Sequence, residues 1–270
     1  MRVESSDISI AGLTIRNDYA CDRVASAPAS AHPDIEGRFA QGQHQAVALH
    51  IAGADRVSLS ALRLTSYQDT LYLQAARRGA ARVHLNHCEI EGDVDFIFGG
   101  ATACFDHCEI RSRGERGAQS WALAPSTAMR RPFGFVFDRC RYTHDGAETG
   151  RGGRSFLGRQ WFEGVRATPY GRPTVTGYDC CAGDVDRYDP PTGRISRHAL
   201  EAVGKCIVLN STIGPHINLA APWDAWASGA WSPRYRPVQS SPADFLGLLA
   251  KWLQQNKLDY SDLDPAELWL

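Results

Sequence analysis

The chain has 270 residues, with 29 Lys and Arg against 30 Asp and Glu. That length suits a single all-β barrel or solenoid with a sizeable core, and the near-zero balance leaves no overall field to gather nucleic acid or an anionic membrane. No stretch approaches the continuous apolar run of a membrane helix, Met1 to Asp7 lacks the apolar centre of a signal peptide, and eight cysteines in such a length are too sparse for a disulfide-stapled domain.

Taken in chain order, a spaced apolar octet recurs. It appears as Ile8, Ile10, Leu13, Ile15, then Val57, Leu59, Leu62, Leu64, then Val83, Leu85, Cys88, Ile90. It returns as Ala103, Phe105, Cys108, Ile110, then Phe135, Phe137, Cys140, Tyr142, and last as Cys206, Val208, Ser211, Ile213. The apolar positions step by two, three and two, which is strand alternation broken once by a bend rather than a helical period. The closest octets start 20 residues apart (103 − 83), the length of one coil of a parallel β-helix with three short faces. Wider intervals are insertions: Asp18 to Gln43, Arg111 to Gln119 and Thr143 to Arg154 read as loops, and Pro169 to Ala199 as a further excursion. Loops this long usually serve a site.

The octets begin abruptly at Ile8, with nothing before them to cap a coil, so residues upstream are expected to be missing or this end to be covered unusually. At the other end Ser241-Pro242-Ala243-Asp244 is a capped helix start. Phe245, Leu248, Leu249, Trp252 and Leu253 follow at helical spacing. We therefore expect a β-helix over 1–240 and a C-terminal helix packed on it over 241–270.

Cys88, Cys108 and Cys140 occupy the sixth place of their octets, where Leu13 and Leu62 stand in others, and so read as small core residues. The grouping His87, Cys88, Cys104, His107, Cys108 superficially resembles a zinc site. Neighbours on a strand point to opposite faces, so His87 and Cys88 are not expected to share an ion, and no metal is expected. Cys21, Cys180 and Cys181 stay unassigned.

Asp69 lies twelve places beyond the start of its octet (69 − 57), and so does Asp95 (95 − 83). If the repeats stack as parallel strands roughly 4.8 Å apart, both carboxylates emerge side by side on one face. Neighbouring carboxylates do not both ionise freely, which makes an acid and a nucleophile from one residue type. A solvated acidic face or a calcium site are the alternatives. The apolar flanks Thr70-Leu71-Tyr72 and Phe96-Ile97-Phe98 favour the chemical reading, because they exclude water.

Four segments carry a family resemblance: Gln45-Ala46-Val47-Ala48-Leu49, Gln68-Asp69-Thr70-Leu71-Tyr72, Gly92-Asp93-Val94-Asp95-Phe96-Ile97-Phe98-Gly99 and Leu157-Gly158-Arg159-Gln160-Trp161. In this order they resemble the central motifs of the pectin methylesterases, and the likeness runs from about Ile8 to Trp226. The long segment before Gln45 is similar to that of bacterial members. The resemblance implies a right-handed parallel β-helix that hydrolyses methyl esters of polygalacturonate without metal or cofactor. By the same resemblance Asp95 is the nucleophile and Asp69 the acid that protonates departing methanol and then activates water. Gln68 and Gln45 donate to the oxyanion, and Arg159 holds Asp95. Trp161, Tyr72, Phe98 and Val94 bind the sugar chain. The expected partner is methylated homogalacturonan (pectin), met by a monomer with no nucleic-acid partner and no membrane span. The resemblance places it in a secreted or periplasmic setting, although this chain shows no signal peptide.

Two departures stand out. Gln160 replaces the proline usual in the family, and the glycine and tyrosine motif that precedes Gln45 in complete members has no counterpart. Rival readings are a non-catalytic pectin-binding coil, a calcium-dependent β-helical lyase, for which no base or ligand motif is evident, and a hydrolase of another ester or thioester in the same site.

Overall fold

The computed structural model describes residues 1–19, 23–24, 39–40, 45–76, 79–115, 117, 119–128, 131, 133–146, 152–159, 161, 187–188, 195–196 and 205–224. The expected helix over 241–270, Gln160, Trp226 and the unassigned Cys21, Cys180 and Cys181 lie outside these residues.

Three parallel sheets form the sides of a coil, and the chain visits them in the same order on each winding. The first sheet stacks Arg2–Val3, Leu49–Ala52, Leu71–Gln74, Val94–Gly99, Trp121–Pro125, Phe156–Arg159 and Trp223–Asp224. The second stacks Ile8–Ala11, Val57–Ser60, Arg82–Asn86, Thr102–Asp106, Phe135–Asp138 and Cys206–Leu209. The third stacks Thr14–Arg16, Arg63–Thr65, Glu89–Gly92, Glu109–Ser112, Arg141–His144 and Thr212–Ile213.

The octets stack in the register read from the sequence. On the second sheet Ile8, Val57, Val83, Ala103, Phe135 and Cys206 are consecutive partners. On the third, Ile15, Leu64, Ile90, Ile110, Tyr142 and Ile213 are. The bend inside each octet is a single residue at positive φ: Gly12, Ala61, His87, His107, Arg139 and Asn210. One left-handed residue turns the strand by a sheet's width, and the ladder survives because its N–H still bonds to the next coil, as in His87 N to Asp106 O at 3.0 Å and His107 N to Asp138 O at 3.1 Å. His and Asn tolerate this conformation better than most residues.

The core is the column of inward octet residues, with Leu59, Leu64, Leu85, Ile90, Phe105 and Ile110 fully buried. Each such side chain stabilises the coil by roughly 1.5–3 kcal/mol. Cys88, Cys108 and Cys140 are buried as expected, their thiols donating to the carbonyls of Leu59, Leu85 and Phe105. Leu13, at the outermost described coil, is 48% exposed.

Four loop expectations need correction. Third-sheet strands run on to Ser112 and His144, which pair with each other, so the loops expected from Arg111 and Thr143 start two residues later. Within 18–43, Arg23–Val24 pairs with Phe39–Ala40 in parallel. Within 169–199, Arg187–Tyr188 pairs with Ile195–Ser196 in antiparallel fashion. Pairs this short carry too few alternating positions to register as strands in a sequence.

Candidate active site

Leu71 pairs with Ile97 and Tyr72 with Phe98. Asp69 and Asp95, each two residues before one of that first pair, therefore hold equivalent places on adjacent coils. Both sit at positive φ, 65° for Asp69 and 49° for Asp95. Asp69 N–H donates to Val94 O at 3.0 Å, locking the two turns together. The strand Val94–Gly99 carries an irregularity here: Val94 pairs with Trp121 and Ile97 with Leu123, so two residues of one strand oppose one of its neighbour. The bulge seats Phe96 in the core, fully buried, while Asp95 points to the outer face. Bulges re-aim side chains in this way beside active sites, and backbone held in such sparsely populated conformations points to function.

Glycines bracket the bulge because nothing larger fits. A Cβ on Gly99, at φ +124°, would lie 2.0 Å from Leu73 O, and one on Gly92 would lie 2.3 Å from Phe96 Cβ.

Arg159, two coils along, grips Asp95 with both arms of its fork: Nε donates to Oδ1 at 2.9 Å and an Nη to Oδ2 at 2.8 Å. Bidentate, charge-assisted pairs are the strong form of this contact. Burial opposes the charge on Arg159, but Asp95, followed by Asp224 and Asp69, more than offsets it and raises the guanidinium's pKa. Asp69 is thus within electrostatic reach of the same cation.

Two further residues complete the support, and neither was anticipated. The Arg159 guanidinium carbon lies 4.8 Å from the centre of the Trp121 ring, a cation–π contact. The Trp121 indole N–H donates to Asp224 Oδ2 at 2.8 Å. Trp121 is in register with Val94, and Asp224 with Arg159. Their signal was their place in the stack, hidden by the uneven loops between coils.

Gln45 and Gln68 meet as a parallel bridge, with Ala46 N–H donating to Gln68 O at 3.0 Å. The two amide side chains thus leave adjacent coils one residue before Asp69. Val94, half-buried, contributes its carbonyl beneath the acids.

An aromatic wall flanks the acids. Tyr72 stacks on Phe98 at 4.4 Å and 5°. Trp161 meets both edge-on, at 6.0 Å from Tyr72 and 5.3 Å from Phe98. His50, unforeseen from sequence, extends the stack by one coil at 4.3 Å from Tyr72. All nine expected site residues therefore fall on the first sheet or at its margins, with a flat apolar face beside a charged one. Among the described residues, no group of three or more His, Cys, Asp or Glu side chains is arranged to hold a metal ion, and no helix is long and apolar enough to cross a membrane.

The profile of the pectinesterase family matches residues 35–168. A pectinesterase of Ralstonia solanacearum is 30% identical over 231 residues, covering 84% of this chain and 48% of the relative. Pectinesterase B of Dickeya dadantii is 32% identical over 195 residues, covering 69% of this chain and 39% of the relative. The chain thus spans less than half the length of these curated relatives. Among solved structures, a pectin methylesterase in complex with a hexasaccharide superposes with a TM-score of 0.59 at 25% identity, over 98% of this chain and 73% of the other. A pectin methylesterase from Erwinia chrysanthemi gives 0.61 at 24%, over 98% and 72%, a likeness of fold.

Proposed function

This chain belongs to the pectinesterase family, and from that premise we propose that it hydrolyses methyl esters of polygalacturonate, releasing methanol and leaving pectate. The observation that carries the reading is the two-armed grip of Arg159 on Asp95, in register with Asp69. An arginine fork fixes the orientation of Asp95 and sets a permanent cation against its carboxyl group, as a carboxylate nucleophile requires.

In the proposed sequence the sugar chain lies against Trp161, Tyr72 and Phe98, and an Asp95 oxygen attacks the ester carbonyl carbon. The oxyanion that forms is stabilised by the amides of Gln68 and Gln45, a contribution of about 3 kcal/mol for one well-placed donor. As the bond to the methoxy oxygen breaks, protonated Asp69 supplies the proton and methanol departs. The acyl group is then joined to Asp95 as an anhydride. Asp69, now a carboxylate, takes a proton from water, and the oxygen of that water attacks the acyl carbon. Galacturonate and free Asp95 are released, and Asp69 regains its proton. Asp69 thus gives up one proton in the first step and regains one in the second, and the new carboxylic acid loses its own proton to solvent. In this reading the protein works as a monomer on pectin outside the cytoplasm, without a cofactor.

Methanol release by the purified chain from methylated, but not unmethylated, homogalacturonan tests the proposal, with a chelator present in a parallel reaction. Absence of methanol from a folded chain that still binds the polymer would favour the pectin-binding reading.

A further inference from the structure

The strand alternation that separates His87 from Cys88 brings His87 beside His107. The two occupy the same bend on consecutive coils, at φ 52° each. Their rings lie 5.1 Å apart and 3° from parallel. Both are exposed at the edge between the second and third sheets, away from the acids of the first.

Each ring is fixed by its Nδ1. His87 Nδ1 faces Asn86 Oδ1 at 2.7 Å, and His107 Nδ1 faces Asp106 Oδ1 at 2.8 Å. Both partners present an oxygen, so in the neutral form of each ring Nδ1–H donates to it and Nε2 is left with the lone pair. Asp106 is itself held, accepting from Asn86 Nδ2 at 3.0 Å and from Arg139 at 3.0 Å. Among the described residues neither Nε2 has a hydrogen-bond partner. An imidazole that donates through one nitrogen to a fixed oxygen and offers the other to solvent has the arrangement of a metal-bound histidine.

We propose that His87 and His107 form a two-histidine surface site for a divalent transition-metal ion of the Cu2+ or Zn2+ kind, with water completing the coordination. With the rings 5.1 Å apart and nearly parallel, bonds of about 2.0–2.1 Å to each Nε2 require the two rings to tilt toward each other until their lone pairs converge on the ion. The Nδ1 hydrogen bonds can lengthen toward about 3.2 Å and persist, and the side chains are open to solvent. Imidazole suits copper and zinc, and copper should bind more tightly. The carboxylate behind His107 strengthens that ligand. The site does not depend on the esterase reading.

The experiment is calorimetric titration of the full chain with CuCl2 and with ZnCl2 at neutral pH, together with paramagnetic resonance of the copper-loaded protein. It is run on wild type, His87→Asn, His107→Asn and the double variant; asparagine tolerates the left-handed bend, so the coil is retained. We expect one equivalent of Cu2+ in wild type that shows two nitrogen ligands. Each single variant should weaken it at least tenfold, and the double variant should bind no more tightly than either single. Methanol release should be unchanged in all three variants. Equal Cu2+ uptake by wild type and the double variant would overturn the proposal. So would a loss confined to one single variant, or failure of wild type to take up either ion.

Discussion

Removing Arg159 tests the arrangement of the acids through stability as well as turnover. The Asp95 side chain is 8% exposed and that of Arg159 is 17%, so the pair is largely withdrawn from water. Among the described residues, the side-chain hydrogen bonds to Asp95 come from Arg159. Arg159→Ala therefore leaves a buried carboxylate without compensation, at a cost near the lower end of the 3–5 kcal/mol range, about 3 kcal/mol, because both side chains keep a little exposure to solvent. In a chain of this size that should lower the melting temperature by roughly 6–12 °C. Asp95→Asn should cost less, because the neutral amide keeps the shape and Arg159 retains Trp121 and the charge of Asp224. Urea unfolding of the two single variants and the double variant, with methanol release measured on each, separates the contributions. An Arg159→Ala protein within 1 kcal/mol of wild type, or less destabilised than Asp95→Asn, would refute the reasoning.

Asp95→Asn and Asp69→Asn should each lower kcat by several orders of magnitude, and Gln68→Ala by roughly a hundredfold; near-native methanol release by Asp95→Asn removes the nucleophile assignment. Gly99→Ala should destabilise by more than about 3 kcal/mol or prevent folding, since its Cβ would sit 2.0 Å from Leu73 O, whereas Gly12→Ala, with nothing within 4 Å, should cost about 1–2 kcal/mol for its φ alone. Trp121→Phe keeps the face beneath Arg159 but loses the N–H to Asp224, so kcat should fall roughly tenfold with KM little changed; equal kcat would show that this support is idle. Burial, followed by the charge of His144, lowers the pKa of His216 from 6.5 to about 4. Its contribution is then intact above pH 6.5 and lost as pH falls toward 4, because the unfolded chain takes the proton first; the loss reaches about 3 kcal/mol, and His216→Gln should flatten that part of the urea stability curve.

Much of the coil was legible because its rule is local. Alternation of period two with one break fixes which side chains point inward, and the first, second and fourth positions of every octet from Val57 to Ile213 fall in their expected rows. The acids were legible for the same reason, being a fixed count from the octet before any insertion intervenes. Trp121 and Asp224 were not. Octet starts differ by 26, 20, 32 and 71 residues from Val57 onward (83 − 57, 103 − 83, 135 − 103, 206 − 135), so a count from one coil does not carry across the loops to the first sheet of the next. His50 escaped because a lone histidine on a strand gives no sign of the aromatic ring one coil away.

One backbone device serves two ends in this chain. At the bend inside each octet a single left-handed residue turns the strand, and the side chain there is free to vary: Gly12, Ala61, His87, His107, Arg139 and Asn210 all fill it. At Asp69 and Asp95 the same conformation lifts a carboxylate out of the strand pleat, but here a bulge, two close-packed glycines and the Arg159 fork enforce it. Strain of about 1–3 kcal/mol per residue persists where its surroundings over-determine it. Substitutions at the octet bends should therefore leave turnover intact and change stability modestly. Substitutions at Gly92, Gly99 or Arg159 should lower stability and turnover together, because the contacts that hold the coil there are those that aim the acids.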